Sequence, residues 1–245
     1  MNTNHQPATI ELDKRNMAIT PSSLIRWSGF AAMLAGLIFA GIQPIHPPDV
    51  VASVNTQAFA IITSLKTVMC LLFLLGITGI YARQAHKTGW LGLIGYLIFG
   101  LGWAITFADV FAETFILPPL ATVTPLFVDS FLGVAAGRAS PVDLGVFPTL
   151  FMVASVLYLL GGLLFGIATF RAGILPRWAA ALMAGTALLT PLAALLPHAI
   201  QRLAAMPMGL ALAGLGYALW SERRENVSEV LTGTGSPQLR HIGAE

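Results

Sequence analysis

Residues 58–81 read AFAIITSLKTVMCLLFLLGITGIY, and residues 90–117 read WLGLIGYLIFGLGWAITFADVFAETFIL. Each is a long run of apolar side chains with very few charges. A helix needs about 20 mostly apolar residues to cross a bilayer, because the hydrocarbon core is roughly 30 Å thick and each helical residue rises about 1.5 Å. The link between the runs, ARQAHKTG at 82–89, is short and contains Arg83 and Lys87. Two spanning helices that return on each other as a hairpin are the expectation.

Four more runs meet the same criterion: Leu24 to Gln43, Phe147 to Phe170, Trp178 to Leu196, and Ala199 to Trp220. Proline follows most of the runs, at Pro44, Pro47 and Pro48, at Pro118 and Pro119, and at Pro197. Proline lacks an amide donor and restricts the residue before it, so these positions predict helix ends. The totals agree. Of 245 residues, 56% are hydrophobic and 10% are charged, against about 25% charged in soluble domains. Too few polar groups remain to cover a water-soluble globule. Disorder throughout and nucleic-acid binding both need charge and are excluded with it. The fold class is all-α: a polytopic membrane protein of six transmembrane helices.

The positions of the basic residues orient the bundle. Lys14, Arg15 and Arg26 lie at its start, Arg83 and Lys87 between the second and third runs, Arg171 and Arg177 between the fourth and fifth, and Arg223 and Arg224 after the sixth. With six spans all of them fall on one side, and the opposite connections hold Arg138 and Arg202. Both termini are then cytoplasmic. Residues 1–22 and 221–245 read as polar cytoplasmic tails flanking a transmembrane domain at 23–220. The N-terminus does not resemble a cleaved signal peptide, and a bacterial cytoplasmic membrane is the simplest address.

The one long connection, 118–146, lies outside. Thr124-Pro125 reads as a helix cap and first turn, with Leu126, Phe127, Phe131, Leu132 and Val134 as an apolar side. This predicts a short helix in the interface or folded over the bundle. Ser140-Pro141-Val142-Asp143 predicts a further turn. Cys70, the lone cysteine, sits inside an apolar run and forms no intramolecular disulfide.

Candidate functional residues are the charges within the spans: Lys66, Asp109 and Glu113. Each costs at least about 2.5 kcal/mol at the bilayer centre, so none belongs there unpaired. Counted from the helix ends, Lys66 and Asp109 lie about 12 Å deep and Glu113 about 6 Å deep, all in the outer half. Lys66 and Asp109 share a depth at which an ion pair can form. Asp109 and Glu113 are four apart and share a helix face. His46, in His46-Pro47-Pro48-Asp49, flanks this layer, as do His198 and Arg202 at the start of the last run.

Three classes of function fit such a layer. In the first, Lys66, Asp109, Glu113, His198 and Arg202 bind a small molecule or ion for a carrier, with no cofactor. In the second, His46, Asp109, Glu113 and His198 hold a divalent metal that activates water against a lipid-like substrate. The ligand types suit zinc, although no compact H-E-x-x-H motif is present. In the third, the charges lock helices together in an accessory protein. Nucleotide-driven chemistry is excluded by the lack of a Walker A loop or Rossmann fingerprint, and no G-x-S-x-G motif occurs. A blander reading leaves the carboxylates hydrated near the interface, with Lys66 snorkelling outward. A carrier predicts a cavity reaching the polar layer. A structural role predicts paired charges and no cavity.

Small residues recur at Gly76 and Gly79, Gly92 and Gly95, Gly161 and Gly162, and Gly209, Ala213 and Gly216. They predict close helix approach, within the chain or with a second copy of it in a homo-oligomer. Lipid is the other expected partner.

Four strings carry a resemblance: Tyr81-Ala82-Arg83-Gln84, Phe111-Ala112-Glu113-Thr114-Phe115-Ile116-Leu117-Pro118, Arg171-Ala172-Gly173-Ile174-Leu175-Pro176-Arg177-Trp178, and Leu196-Pro197-His198 running on to Gly216-Tyr217-Ala218-Leu219-Trp220. With them, residues 24–220 resemble a group of bacterial six-helix integral membrane proteins whose domain has no assigned activity. The resemblance implies a fold class and a membrane address. It implies no catalytic residue.

Overall fold

The computed structural model describes residues 20–193 and 195–232, the side chains of 198, 199 and 223–232 excepted. The predicted tails therefore fall partly outside the described residues. Within them the chain is helical, with no strand. Helix α1 spans Pro21–Ile42 and ends in a 3-10 turn at Gln43–Ile45. A four-residue helix, α2, spans Val51–Val54. Helix α3 spans Gln57–Phe115, α4 Leu117–Val123 and α5 Pro125–Ala135. Helix α6 spans Phe147–Ala172, α7 Arg177–Ala193 and α8 His198–Thr232.

Local chemistry sets these boundaries. Thr20 caps α1 by accepting the Ser23 amide at 3.2 Å, and Ser23 reciprocates on the Thr20 amide, with Pro21 in the first turn. Thr56 caps α3 through the Phe59 amide at 3.2 Å. Gly173 ends α6 at φ 62, where its amide bonds Thr169 O at 3.3 Å. That left-handed conformation favours glycine.

A straight helix of 59 residues would be about 89 Å long, and α3 is not straight. Gly89, at φ 56 and ψ −152, breaks it. Contacts across the break pair residues in antiparallel order. Tyr81 stacks on Tyr96 with ring centroids 4.8 Å apart, and Phe73 on Trp103 at 3.8 Å. Thr67 and Thr114 hydroxyls meet at 2.9 Å. The expected hairpin is present, and its first arm stays helical through the basic link at 82–88.

The helices form a closed ring. Helix α1 lies between α8 and the first arm of α3, the second arm lies against α6, and α7 joins α6 to α8. Small residues set the spacing, as predicted. A methyl added at Gly36 would lie 2.3 Å from Gly209 O, one at Gly76 2.6 Å from Ala32 Cα, and one at Gly161 2.4 Å from Phe99 N. These glycines are thus occupied within the chain. At the end nearer Gly89 the ring is filled by Phe73, Phe99, Phe165, Met183, Met208 and Leu212, all fully buried. At the other end α2, α4 and α5 cap the ring around a smaller core of Val54, Phe59, Leu117, Val128 and Leu132.

The outer surface is apolar. Leu75, Leu97, Leu101, Met152 and Leu188 are each more than half exposed, a distribution that needs lipid as solvent. Among the described residues, four segments are long and apolar enough to cross a membrane: Pro21–Ile45, Gln57–Phe115, Phe147–Ala172 and Ile200–Glu222. The chain is therefore an all-helical, membrane-embedded protein.

Several boundaries differ from expectation. The third apolar run stops at Phe115, and Pro118 and Pro119 open α4 instead of ending α3. Their missing amides cost nothing in a first turn. The 118–146 connection thus holds two helices. The second, α5, starts at the predicted Thr124-Pro125, although the Thr124 hydroxyl bonds Leu120 O at 3.3 Å and caps nothing. The last helix continues beyond Trp220 to Thr232, so the predicted C-terminal tail begins as helix.

Candidate functional site

The hairpin register places Lys66 opposite Glu113, and their side chains form an ion pair, 17% and 9% exposed respectively. This corrects the depth count, which matched Lys66 with Asp109. That count placed each residue from its own helix end, whereas the fold at Gly89 and the Thr67–Thr114 contact fix the register between the arms. Asp109 lies one turn from Glu113, and its Oδ1 is buried with no hydrogen-bond partner.

A second ion pair comes from chain ends far apart in sequence. Arg202, in the first turns of α8, pairs with Asp49, which follows the 3-10 turn. Asp49 is 5% exposed at its side chain. Its backbone carbonyl accepts from Arg138 at 2.9 Å, and Arg138 also donates to Asp129 O at 3.1 Å in α5. Asp129 Oδ1 accepts the Val51 amide at 3.2 Å. The cap is thereby tied to the site.

His46 sits beside this pair, 3% exposed, with Nδ1 2.7 Å from Pro47 O and 3.9 Å from Asp49 Oδ1. Nδ1 therefore donates to the carbonyl, and Nε2 presents a lone pair, buried and without a partner. Burial, then the positive charges of Lys66 and Arg202, push the imidazole down to about 4. It is neutral at pH 7.

Two cavities meet at this layer. The smaller, about 300 Å³, touches His46, Asp49, Lys66, Asp109, Glu113 and Arg202. The larger, about 900 Å³, lies among the second arm of α3, α5, α6 and α7, and its walls are largely apolar, with Phe131, Val134, Leu150 and Leu159 among them. Phe39, Trp103, Thr106, Asp109 and Gln201 border both. Below them the Phe73–Trp103 stack fills the ring toward the Gly89 end.

Of the predicted residues, the structure brings Lys66, Asp109, Glu113, Arg202 and His46 to one cavity. His198 opens α8, and its side chain lies outside the described residues. Among the described residues no group of three His, Cys, Asp or Glu side chains is placed to hold a metal ion. Sequence reasoning missed Asp49 as a site residue. Its signal was available: a carboxylate in a Pro-rich turn beside His46, at the same face as Arg202. It also missed Thr114 and Trp103, whose indole Nε1 is buried without a partner.

No protein-family model, curated protein or solved structure matches the chain.

Proposed function

We propose that the protein crosses a bacterial cytoplasmic membrane six times, with both termini in the cytoplasm, and binds a small molecule in the outer half of its bundle. Six crossings follow if the two arms of α3 each span and if α7, 17 residues long, spans as the shortest rod, within the range of about 17–25 residues that bilayers accept. Arg26, Arg83, Lys87, Arg171 and Arg177 then share the side bearing Gly89, with Trp27, Trp90 and Trp178 exposed as interfacial anchors.

The observation that carries the binding reading is Asp109. A buried carboxylate oxygen without a partner is costly, and this one stands where an apolar cavity and a polar cavity join. A purely structural cluster would pair all its charges and leave no space. Passage of a ligand to the opposite face requires the Phe73–Trp103 layer to part, which makes that layer the gate in a transport cycle.

Native mass spectrometry of the protein released from lipid nanodiscs tests the binding reading. Three probes share a twelve-carbon chain and differ in head: dodecylamine, dodecanol and dodecanoate. At least one should form a saturable one-to-one adduct, and filling the larger cavity by Ala154→Phe or Val134→Trp should abolish it. No adduct with any probe, or adducts indifferent to both substitutions, would overturn it.

A further inference from the structure

We infer that the ligand is a single-chain amphiphile with a monocationic, hydrogen-donating head, which enters from the bilayer and rests its head against Asp109. This rests on the small-molecule binding proposed above and names the ligand's class.

Charge is the first argument. Among the described residues, five ionisable side chains other than His46 border the smaller cavity: Lys66 and Arg202 against Asp49, Asp109 and Glu113. Lys66 is paired with Glu113 and Arg202 with Asp49. The Arg138–Asp129 pair beside them is balanced in itself. Asp109 is the carboxylate of the three with no cation paired to it, and a monocation bound beside it would favour its ionised form.

Hydrogen bonding is the second. Asp109 Oδ1 and His46 Nε2 are both buried, both without a partner and both acceptors. An ammonium head donates to Asp109. A carboxylate or phosphate head would leave both unsatisfied and add like charge. Trp103 Nε1, a buried donor at the same junction, takes an acceptor next to the ammonium, such as a hydroxyl.

Shape is the third. The larger cavity is within the range of about 300–1,000 Å³ typical of ligand sites, and its apolar walls suit an alkyl chain. It also reaches the lipid-facing flank. Leu97, Leu101, Ala104, Ala108, Phe111 and Phe115 form one exposed stripe along the second arm of α3, at three- and four-residue spacing. Ala108 belongs to that stripe and borders the cavity. The arm and α6 touch closely at Gly95, Gly102 and Gly161, all nearer the Gly89 end, which leaves the opening beyond them.

The three probes decide the matter in nanodiscs of zwitterionic lipid, with affinity expressed as mole fraction in the bilayer. Dodecylamine should bind the wild type at least tenfold more tightly than dodecanol or dodecanoate. Asp109→Asn should bring the amine and the alcohol to within about twofold of each other. Equal affinity for the amine and the alcohol, tighter binding of the carboxylate, or a preference that survives Asp109→Asn would overturn the inference and leave the cavity's binding role standing. Adducts with none of the probes would sink both. If Asp109→Asn does not fold, the wild-type ranking alone decides.

Discussion

Lys66 on one arm of α3 reaches across to Glu113 on the other, and Asp109, one turn from Glu113, is left with a buried oxygen that nothing satisfies. The pair links the two arms below the cap. Lys66→Met would leave Glu113 and Asp109 as unpaired carboxylates on one helix face. Glu113→Gln would leave Lys66 free to turn to Asp109. Lys66→Met should therefore destabilise by about 3 kcal/mol, the lower end for breaking a buried pair, and Glu113→Gln by less than half of that. Arg138→Met, which breaks a pair about 40% exposed on each side and the bonds to the Asp49 and Asp129 carbonyls, should cost about 1–2 kcal/mol. Thermal unfolding in a mild detergent gives the ranking. Equal losses for Lys66→Met and Arg138→Met would mean that the Lys66–Glu113 pair is not buried in the protein as folded.

Asp109→Asn should have the opposite sign. It replaces a buried carboxyl whose Oδ1 has no partner and whose ionisation Glu113 opposes, so the unliganded protein should gain about 1 kcal/mol. A polar residue that worsens ligand binding while improving stability is the signature of a functional position. A loss as large as that of Glu113→Gln would show that Asp109 has a structural partner.

Much of this site was legible because charges are rare in the chain. Hydropathy located the rods, and Lys66, Asp109 and Glu113 stood out within them. The pairing was not legible from depth, since the register between two helices depends on the backbone at Gly89 and on contacts such as Tyr81 on Tyr96. The Arg202–Asp49 pair joins residues 153 apart in sequence and exists only because α8 closes the ring against α1. The larger cavity had no sequence signal. Empty space arises where the second arm of α3 and α6 lose their glycine contacts beyond Gly102, and no single residue encodes it.

The contact between α1 and α8 depends on missing side chains. Gly36→Ala would put a methyl 2.3 Å from Gly209 O, backbone against backbone. A loss of about 1–3 kcal/mol is expected for such overpacking. Gly41→Ala, five residues on in the same helix, meets nothing within 4 Å and should stabilise by about 0.5–1 kcal/mol. Opposite shifts in Tm for these two alanines would verify the interface. A matching shift would place α8 elsewhere.

Gly89 tests the hairpin through backbone conformation alone, because a methyl there meets no atom within 4 Å. Its φ 56, ψ −152 geometry is essentially restricted to glycine. Gly89→Ala should cost about 1–3 kcal/mol, whereas Gly100→Ala, with Ile77 Cδ1 at 3.8 Å, should be neutral or stabilising. Disulfide trapping of a Tyr81→Cys/Tyr96→Cys pair in a Cys70→Ala background gives a second readout. Rapid cross-linking is expected from stacked rings, and its absence would argue for an extended α3.

His46 makes stability depend on pH in a defined window. Its folded value, about 4, lies below the ordinary 6.5, so between these values the unfolded chain binds the extra proton. The sign follows by linkage: the contribution is complete above about pH 6.5 and is lost as pH falls toward 4. The loss should be about 1–3 kcal/mol. It arises because a protonated His46 would be buried beside Lys66 and Arg202, with Asp49 offsetting only part of their repulsion. His46→Gln has no titrating ring and should show a flatter profile over this window, with the carboxylates common to both proteins. Parallel profiles for wild type and His46→Gln would mean that the ring charges freely, and that Nε2 is hydrated instead of buried.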